Sequence, residues 1–406
     1  MTSYQHEPLR PAIWTKGFTI NFTVNFLVYL CMYLLIVVVA GYAKSEYHAS
    51  DSIAGLVTGL FIVGSLIGRF ITGRFIHRFG SKNVLLTGLV LLIASQTLYY
   101  FAHTLNVLML TRLINGIATA VATTATGAIA AMLSPASRKS EGISFFSLSL
   151  VLGTAIGPFV ALLLYRHFSM DVLFAICSVL GIISLLIALP IRIQPQTITQ
   201  TKTAKSTSEL STAHRPLLSK FIAKEALPIA LVVVAVGIGY ASILTFLQFF
   251  ADARHLVDAA SYFFIFYALT SLVTRPISGR LMDSKNENIV VYPAFIFFIL
   301  TFVCLYFAHS GIVLLLAGAL LGVGYGNLTS VMQAIAIKVS TPEKYGVATS
   351  TFFIGMDFGI GFGPYVLGFF THALTYAQLY GIMAIVMIIA MFLYYCLHGR
   401  NVSSIT

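Results

Sequence analysis

Twelve long apolar stretches constrain this chain more than any other feature of its sequence. A helix needs about 20 apolar residues to cross the hydrocarbon core of a bilayer, and these stretches are of that length. Backbone polar groups in lipid must be paired internally, so only helices and closed barrels span a membrane. Barrel strands alternate polar and apolar residues, whereas these stretches are uninterrupted. The chain is therefore predicted to be an all-α membrane protein with twelve transmembrane helices.

The stretches fall into two sets of six. The first set covers about 17–42, 53–76, 84–102, 105–133, 141–165 and 170–190, and the second covers about 226–250, 258–282, 288–308, 311–338, 345–370 and 374–397. The segment between the sets is rich in Thr, Ser, Lys and Gln, cannot form a core and is predicted to be a flexible linker. The predicted units are an N-terminal tail (1–16), a first bundle (17–190), the linker (191–225), a second bundle (226–397) and a C-terminal tail (398–406).

The composition excludes several classes of protein. Hydrophobic residues make up 58% of the 406 residues and charged residues only 9%. A soluble globule could not cover its surface at this composition, which excludes a soluble enzyme, a disordered chain and a secreted disulfide scaffold. The four cysteines lie inside apolar stretches without metal-ligand spacing, and no phosphate-binding loop or nucleophile elbow is present. We expect no enzymatic activity, no cofactor and no metal site.

The basic residues predict the topology. A formal net charge of +11 would suggest a nucleic acid partner in a soluble domain, but in a membrane protein it reflects the loops. With both termini on one side, the loops and tails of that side hold 18 of the 24 Lys and Arg residues, and the opposite loops hold three. Basic residues collect in cytoplasmic loops. We therefore expect a multi-pass protein of the cell membrane with both termini and the linker in the cytoplasm.

The two halves repeat each other. Three features recur at a constant offset of 206 residues: segments 69–74 and 275–280, the Gly-Pro pairs at 157–158 and 363–364, and the glycines at 116 and 322. A constant offset across separate features indicates an internal duplication. It predicts two pseudo-symmetric six-helix bundles related by an axis along the membrane normal.

Three motifs lie at particular places in this pattern. The second interhelical loop, residues 73–82, reads GRFIHRFGSK; residues 110–116 of the fourth helix read LTRLING; and residues 153–161 of the fifth read GTAIGPFVA. Together they resemble the major facilitator superfamily, and within it the twelve-helix drug:proton antiporters. The sequence departs from the family patterns at His77, where an acid is expected, at Ser81, where a basic residue is expected, and at Ala161, where glycine is expected.

The resemblance implies a proton-coupled exporter of small organic compounds. In this family two bundles rock about a central site, and Gly153, Gly157 and Pro158 correspond to the antiporter motif. The expected partners are a small-molecule substrate, protons and the lipid bilayer, and the chain is expected to be a monomer. The alternatives are an exporter of one physiological solute such as a metallophore or metabolite, an uptake symporter for a sugar or organic acid, and a lipid flippase or non-transporting receptor on the same fold.

A cytoplasmic gate is predicted from the repeated loop motif. Its candidate residues are Arg69, Gly73, Arg74, Arg78, Glu141, Arg275, Gly279, Arg280 and Asp283. Glycine lets helices approach closely, and the arginines can pair with acids across the cytoplasmic face. Glu141 is the expected partner of Arg69, Arg74 or Arg78. Arg69 and Arg275 are placed near helix ends, from which their long side chains can reach the interface. The alternative is a set of solvated charges that only follow the positive-inside rule.

Two ionisable residues are predicted to couple transport to protons. Among the 13 acids only Asp357 lies clearly in the middle of an apolar stretch. A carboxylate inside a membrane is costly, and in apolar surroundings it can take up a proton near neutral pH. Arg112 is the second deep charge, and the resemblance of its helix to the family motif implies a part in proton relay. Alternatively, Asp357 is a structural acid held by an arginine, and Arg112 packs against carbonyl groups.

The substrate site is predicted on the helices that line the central cavity in this family. The first helix carries five residues on one face, at i, i+3, i+4, i+7 and i+11: Phe22, Asn25, Phe26, Tyr29 and Tyr33. Further candidates are Asn115, Tyr240, Phe246, Gln248, Tyr325 and Asn327. Aromatic rings mixed with amides suit an amphipathic organic ligand. The alternative is plain interhelical or lipid-facing packing, because 13% of the chain is aromatic.

Overall fold

The computed structural model describes residues 11–49, 51–192, 222–368, 370 and 373–402. These residues form twelve α-helices, and no strand occurs among them. The helices are α1 (Lys16–Tyr47), α2 (Asp51–Phe79), α3 (Ser81–Leu98), α4 (Leu105–Leu133), α5 (Lys139–His167), α6 (Met170–Ala188), α7 (Leu227–Arg254), α8 (Val257–Ser284), α9 (Asn288–Phe307), α10 (Gly311–Lys338), α11 (Tyr345–Gly368) and α12 (Tyr376–Leu397). The prediction of twelve helices in two sets of six is confirmed.

The helix lengths follow from the apolar stretches, and the helix ends follow from local capping. In the described part of the chain, eleven helical segments are long and apolar enough to cross a membrane. The remaining helix, α11, carries Asp357 and six glycines. The side chain of Thr104 caps α4, and Thr375 forms a capping box with Gln378 at the start of α12. Most of the predicted linker (193–221) and parts of both tails lie outside the described residues.

Glycine residues set the spacing of the helices in both halves. Gly116 brings α4 against α2, where a Cβ atom would collide with the Phe61 carbonyl oxygen. Gly322, at the repeat offset, brings α10 against α8, where a Cβ atom would collide with the side chain of Thr270. Close backbone approach at small residues is the usual way to pack helices in membranes. The internal repeat therefore recurs as the same packing in both bundles.

The two bundles meet at one end of the molecule. We name the end that carries the α2–α3, α4–α5, α8–α9 and α10–α11 connections the basic end. There Gly73 of α2 packs against Val347 and Ser350 of α11. Gly279 of α8 packs against Glu141 and Ser144 of α5. These two glycine contacts close the basic end, and the candidate site lies beyond them.

Candidate functional site

A cavity of about 110 Å³ lies between the bundles and is lined by four helices from each half. These are α1, α2, α4 and α5 from the first half and α7, α8, α10 and α11 from the second. Many lining residues are pairs at the repeat offset: Phe61 and Tyr267, Arg69 and Arg275, Thr123 and Thr329. A site built from equivalent positions of two halves can be exposed to either side by rocking one half against the other.

Asp357 forms an ion pair with Arg69 on the wall of this cavity. Arg69 Nε lies 2.6 Å from Asp357 Oδ2, and Arg69 Nη2 lies 3.3 Å from Oδ1, so both carboxylate oxygens are bound. Ser65 donates a further hydrogen bond of 2.5 Å to Oδ2. The two side chains are only 6% and 17% exposed. Because Arg69 belongs to α2 and Asp357 to α11, this ion pair joins the two bundles across the cavity.

The guanidinium of Arg69 is fixed on its other sides. It donates to Thr123 Oγ1 at 3.4 Å and to Thr124 Oγ1 at 3.2 Å, and its carbon atom lies 4.2 Å from the centre of the Phe353 ring. The side chain of Ser350 donates to the Arg69 carbonyl oxygen. A bidentate, mostly buried pair of this kind is costly to break by removing one partner. Arg69 was expected near the helix end as a gate residue, and that position is wrong.

Arg112, the second residue predicted to couple transport to protons, does not pair with Asp357. Arg112 points into the interior of the first bundle, where it donates to the Val57 carbonyl at 3.4 Å and to the Tyr99 hydroxyl at 3.3 Å. Its carbon atom lies 4.9 Å from the centre of the Phe61 ring, and it does not line the cavity. Arg112 therefore matches the alternative of packing against carbonyl groups, and the arginine that pairs with Asp357 is Arg69.

Arg275 is the second arginine of the cavity, and it too lies deeper than expected. Its Nη1 donates to the Ser147 carbonyl of α5 at 2.8 Å, and its Nη2 donates to Thr329 Oγ1 at 2.9 Å. The residue is 1% exposed, and within the described part of the chain its Nε has no hydrogen-bond acceptor. Arg275 therefore also crosses between the bundles, from α8 to α5, but it meets a carbonyl group where Arg69 meets a carboxylate.

Tyrosine rings form much of the remaining wall. Tyr29, Tyr33, Tyr240 and Tyr325 were predicted as substrate residues, and all four line the cavity. The rings of Tyr240 and Tyr325 are stacked, with centroids 4.0 Å apart and an interplanar angle of 2°. Tyr267, which the sequence analysis missed, lies beside them with ring centroids 6.2 and 6.4 Å away. Its position at the repeat offset from Phe61 is the signal that could have revealed it.

Asn25, another predicted substrate residue, also lies at a cavity wall. It lines a smaller cavity next to the main one. Its side chain donates to Ser149 Oγ at 2.6 Å and accepts from Thr126 at 2.7 Å. Asn25 therefore ties α1 to α4 and α5, and both ends of its amide are occupied by protein groups.

The other predicted substrate residues do not line these two cavities in the structure, and their role in substrate binding stays a prediction. They are Phe22, Phe26, Asn115, Phe246, Gln248 and Asn327. Phe22 packs on Trp14 at the basic end, and Phe246 stacks on Tyr376. Asn115 donates to Ser95 of α3. The remaining amides are bonded away from the cavity: Gln248 donates to Asp252 at an exposed position, and Asn327 bonds Thr274 and Ser278 of α8.

Glu141 is held at the basic end by two arginines. Arg138 Nε lies 2.7 Å from its Oε2, and Arg280 Nη2 lies 3.2 Å from its Oε1. The expected partners Arg69, Arg74 and Arg78 are therefore wrong for Glu141. Arg78 is exposed and lies over the ring of Phe79 at 5.2 Å.

Asp283 completes this cluster by capping a helix across the bundle boundary. Its Oδ1 and Oδ2 accept from the backbone N–H groups of Ser140 and Glu141 at 3.0 and 2.8 Å, and Lys338 Nζ lies 3.5 Å from Oδ1. A carboxylate at a helix N-terminus satisfies free N–H groups and faces the positive end of the helix dipole. At the repeat offset from Asp283 the first half has His77, which is exposed.

The glycines of the helix 5 motif position two of the cavity tyrosines. A Cβ atom on Gly153 would lie 3.2 Å from the backbone of Tyr29, and one on Gly157 would lie 3.3 Å from the backbone of Tyr33. Pro158 continues the same helix without breaking it. The motif therefore presses α5 onto the part of α1 that faces the cavity.

Within the described residues, no group of three or more His, Cys, Asp or Glu side chains is placed to hold a metal ion.

Comparison with known proteins agrees with this architecture. The family model described as Major Facilitator Superfamily matches residues 22–311 and 257–404. The chain belongs to the Major Facilitator Superfamily.

Relatives of this superfamily member include the uncharacterized MFS-type transporter MJ1560 of Methanocaldococcus jannaschii, 23% identical over 87% of this chain and 90% of that protein. The quinolone resistance protein NorA of Staphylococcus aureus is 24% identical over 32% of this chain and 35% of NorA. Among solved structures, the human organic anion transporter MFSD10 (TETRAN) is 16% identical with a TM-score of 0.74, over 95% of this chain and 100% of that one. The proton:xylose symporter XylE is 15% identical with a TM-score of 0.73, over 96% of each chain.

Proposed function

We propose that this superfamily member is a proton-coupled exporter of small organic compounds. The cavity between the bundles is the substrate site, and alternating access exposes it to the two sides in turn. The basic end faces the cytoplasm, as the distribution of Lys and Arg residues favours. The structure then corresponds to a state closed toward the cytoplasm. The chain works as a monomer in the cell membrane.

The ion pair between Arg69 and Asp357 is the observation that carries this proposal. It joins α2 to α11 next to the glycine contact that closes the basic end. Protonation of Asp357 removes the negative charge that holds Arg69, so the attraction between the bundles falls and the basic end can open. Release of the proton to the cytoplasm restores the pair and closes that end. One proton thus accompanies each cycle of opening and closing.

The direction of transport is supported by two likenesses. The helix 5 glycines resemble the antiporter motif, and they pack against the cavity tyrosines. A third of the chain is similar to NorA, whose name describes quinolone resistance. In the proposed cycle, substrate leaves through the outer side while Asp357 is ionised, and the proton enters on the return step.

Transport in proteoliposomes tests the proposal. The purified full chain is reconstituted, a pH gradient is imposed, and a library of small organic solutes is screened for movement against the proton flow. We expect at least one solute to accumulate in the compartment with the lower pH, and a protonophore to abolish this accumulation. Accumulation in the compartment with the higher pH would instead identify an uptake symporter. Movement of lipid without solute flux would identify a flippase.

A further inference from the structure

The cavity carries more positive than negative charge. Two arginines and one carboxylate line it, and the carboxylate, that of Asp357, forms an ion pair with Arg69. Among the described residues, no carboxylate oxygen lies within 4.0 Å of the Arg275 guanidinium. One full positive charge at the cavity wall therefore lacks an acidic partner among the residues that the structure describes.

The contacts of Arg275 do not balance this charge. Its partners are neutral, a carbonyl oxygen of Ser147 and a hydroxyl group of Thr329, and its Nε has no acceptor among the described protein groups. The hydroxyl group of Tyr267 lies beside the guanidinium. With 1% of the residue exposed, bulk solvent compensates the charge less than it does at a surface. A buried cation with only neutral partners is costly unless something else pairs with it.

The repeat explains why the acid is missing. Arg69 and Arg275 are equivalent positions, and the position equivalent to Asp357 is Val151 of α5. Val151 is 1% exposed and apolar, so α5 offers Arg275 only its backbone. The second half has thus kept the arginine of the pair, while the first half has no carboxylate to match it.

We propose that Arg275 binds a carboxylate group of the substrate. The planar guanidinium suits carboxylate recognition, because it presents parallel N–H groups to two oxygens. The stacked rings of Tyr240 and Tyr325, with Tyr267 beside them, form the adjacent surface for an aromatic or apolar body. The substrate class is therefore an amphipathic organic anion. This inference rests on the proposed function only in taking the cavity as the substrate site.

Three probes that differ only in charge test the inference. Benzoate, benzamide and benzylamine share one ring and carry negative, zero and positive charge. Their affinities for the purified full chain in detergent are measured by saturation-transfer NMR. We expect benzoate to bind about tenfold or more tightly than the other two, because a hydrogen bond to a buried charged group is stronger than one to a neutral group. Equal affinities, or tightest binding of benzylamine, would overturn the proposal.

Variants of the arginine assign the preference to one residue. Arg275→Gln should remove the preference for benzoate, and Arg275→Lys should keep part of it because the charge remains. The matched control is Arg400→Gln, an exposed arginine at the basic end, which should bind the three probes like the unmodified chain. A full benzoate preference in Arg275→Gln would contradict the proposal. If this variant elutes as an aggregate, the comparison of the three probes on the unmodified chain still decides.

The binding measurement is independent of proton coupling. It uses no membrane, gradient or flux, so a chain that does not move protons still reports its charge preference. Conversely, a chain that exports a neutral solute against protons would support the proposed function and contradict the role of Arg275.

Discussion

At the residue scale, the position of Arg69 deep along α2 allows it to pair with Asp357. The sequence predicted a second helix ending near residue 76, whereas α2 continues to Phe79. Arg69 is therefore ten residues, or about 15 Å, from that end, too far for its side chain to reach the interface. The deep acid was predicted from its place in an apolar stretch. Its partner was not, because spacing along one helix does not reveal which neighbouring helix it faces.

The first prediction concerns the hydrogen bond from Ser65 to Asp357. A donor to a carboxylate favours the ionised form, so Ser65→Ala makes protonation easier. We expect the pH profile of gradient-driven flux to move to higher pH, because the ionised carboxylate loses a hydrogen-bond donor. Thr154→Val is the matched control, because Thr154 lines the cavity but bonds its own helix. An unchanged profile in Ser65→Ala would argue against proton uptake at this carboxylate.

The cavity tyrosines of α1 also show what spacing along one helix cannot predict. The face of α1 was predicted from helical spacing, and the spacing is correct. The cavity spans only the middle of the 32-residue helix, however, so Tyr29 and Tyr33 reach it and Phe22 does not. Where a cavity begins and ends along a helix depends on how the two bundles pack. The sequence of one helix therefore does not reveal the extent of the cavity.

At the scale of helices, the two contacts that close the basic end differ in chemistry. The contact between α2 and α11 has its ion pair deep in the cavity wall and apolar packing at the end, where Ile76 meets Gly346. The contact between α5 and α8 has its ion pairs at the end, around Glu141, and none at Arg275. The repeated loop motif predicted one gate built from equivalent residues in the two halves. Substitutions at a few equivalent positions, His77 for an acid and Val151 for a carboxylate, made them different.

The second prediction concerns the cluster around Glu141. Arg138 is 21% exposed and Arg280 is 63% exposed, so the pair with Arg138 should carry more energy. Glu141→Gln and Arg138→Gln should each slow transport, and the double variant should be less than additive by about 1 kcal/mol, or about fivefold in rate. The control is Glu141→Gln with Arg78→Gln, which should be additive. Coupling to Arg78 in place of Arg138 would contradict this arrangement.

The third prediction concerns the end of α12. His398 Nε2 lies 3.1 Å from Glu287 Oε1, and this hydrogen bond holds the pKa of Glu287 below its ordinary value. An acid with a lowered pKa stabilises the folded state above its unfolded pKa and loses that effect as the pH falls. Relative to an unstructured chain at the same pH, hydrogen exchange at the C-terminal turn of α12 should therefore become faster below about pH 4.3, so that its protection factor falls. Glu287→Gln should show the faster exchange already at neutral pH; protection that is equal in both proteins at neutral pH would be inconsistent with the pair.

At the scale of the whole molecule, the fold could be predicted almost completely. The bounds predicted for the fourth and tenth helices agree with α4 and α10 at both ends. Apolar length, basic loops and a repeat at one offset are properties of whole segments. In a membrane these properties determine which segments form helices and the order in which they follow one another. The site could be predicted only in part, because it depends on contacts between segments far apart in the chain.

The fourth prediction concerns orientation. Asn83 lies at the basic end and His103 at the opposite end, and both are exposed. If the basic end is cytoplasmic, His103→Cys should react with an impermeant thiol reagent in intact cells. Asn83→Cys should react only in inside-out vesicles. The four native cysteines are buried or half-buried and provide a low background. The reverse pattern would invert the topology and, with it, the direction of the proposed cycle.

The central claim is that Asp357 exchanges a proton during transport, and one measurement addresses it directly. Gradient-driven accumulation and substrate exchange are compared for the unmodified chain and for Asp357→Asn, using a solute that the unmodified chain accumulates under a pH gradient. Asparagine resembles the permanently protonated acid and cannot release a proton. If Asp357 exchanges a proton, accumulation by Asp357→Asn should fall to the level of protein-free liposomes. Exchange of labelled for unlabelled solute should persist. Accumulation against a solute gradient by Asp357→Asn would contradict the account and make the ion pair with Arg69 purely structural.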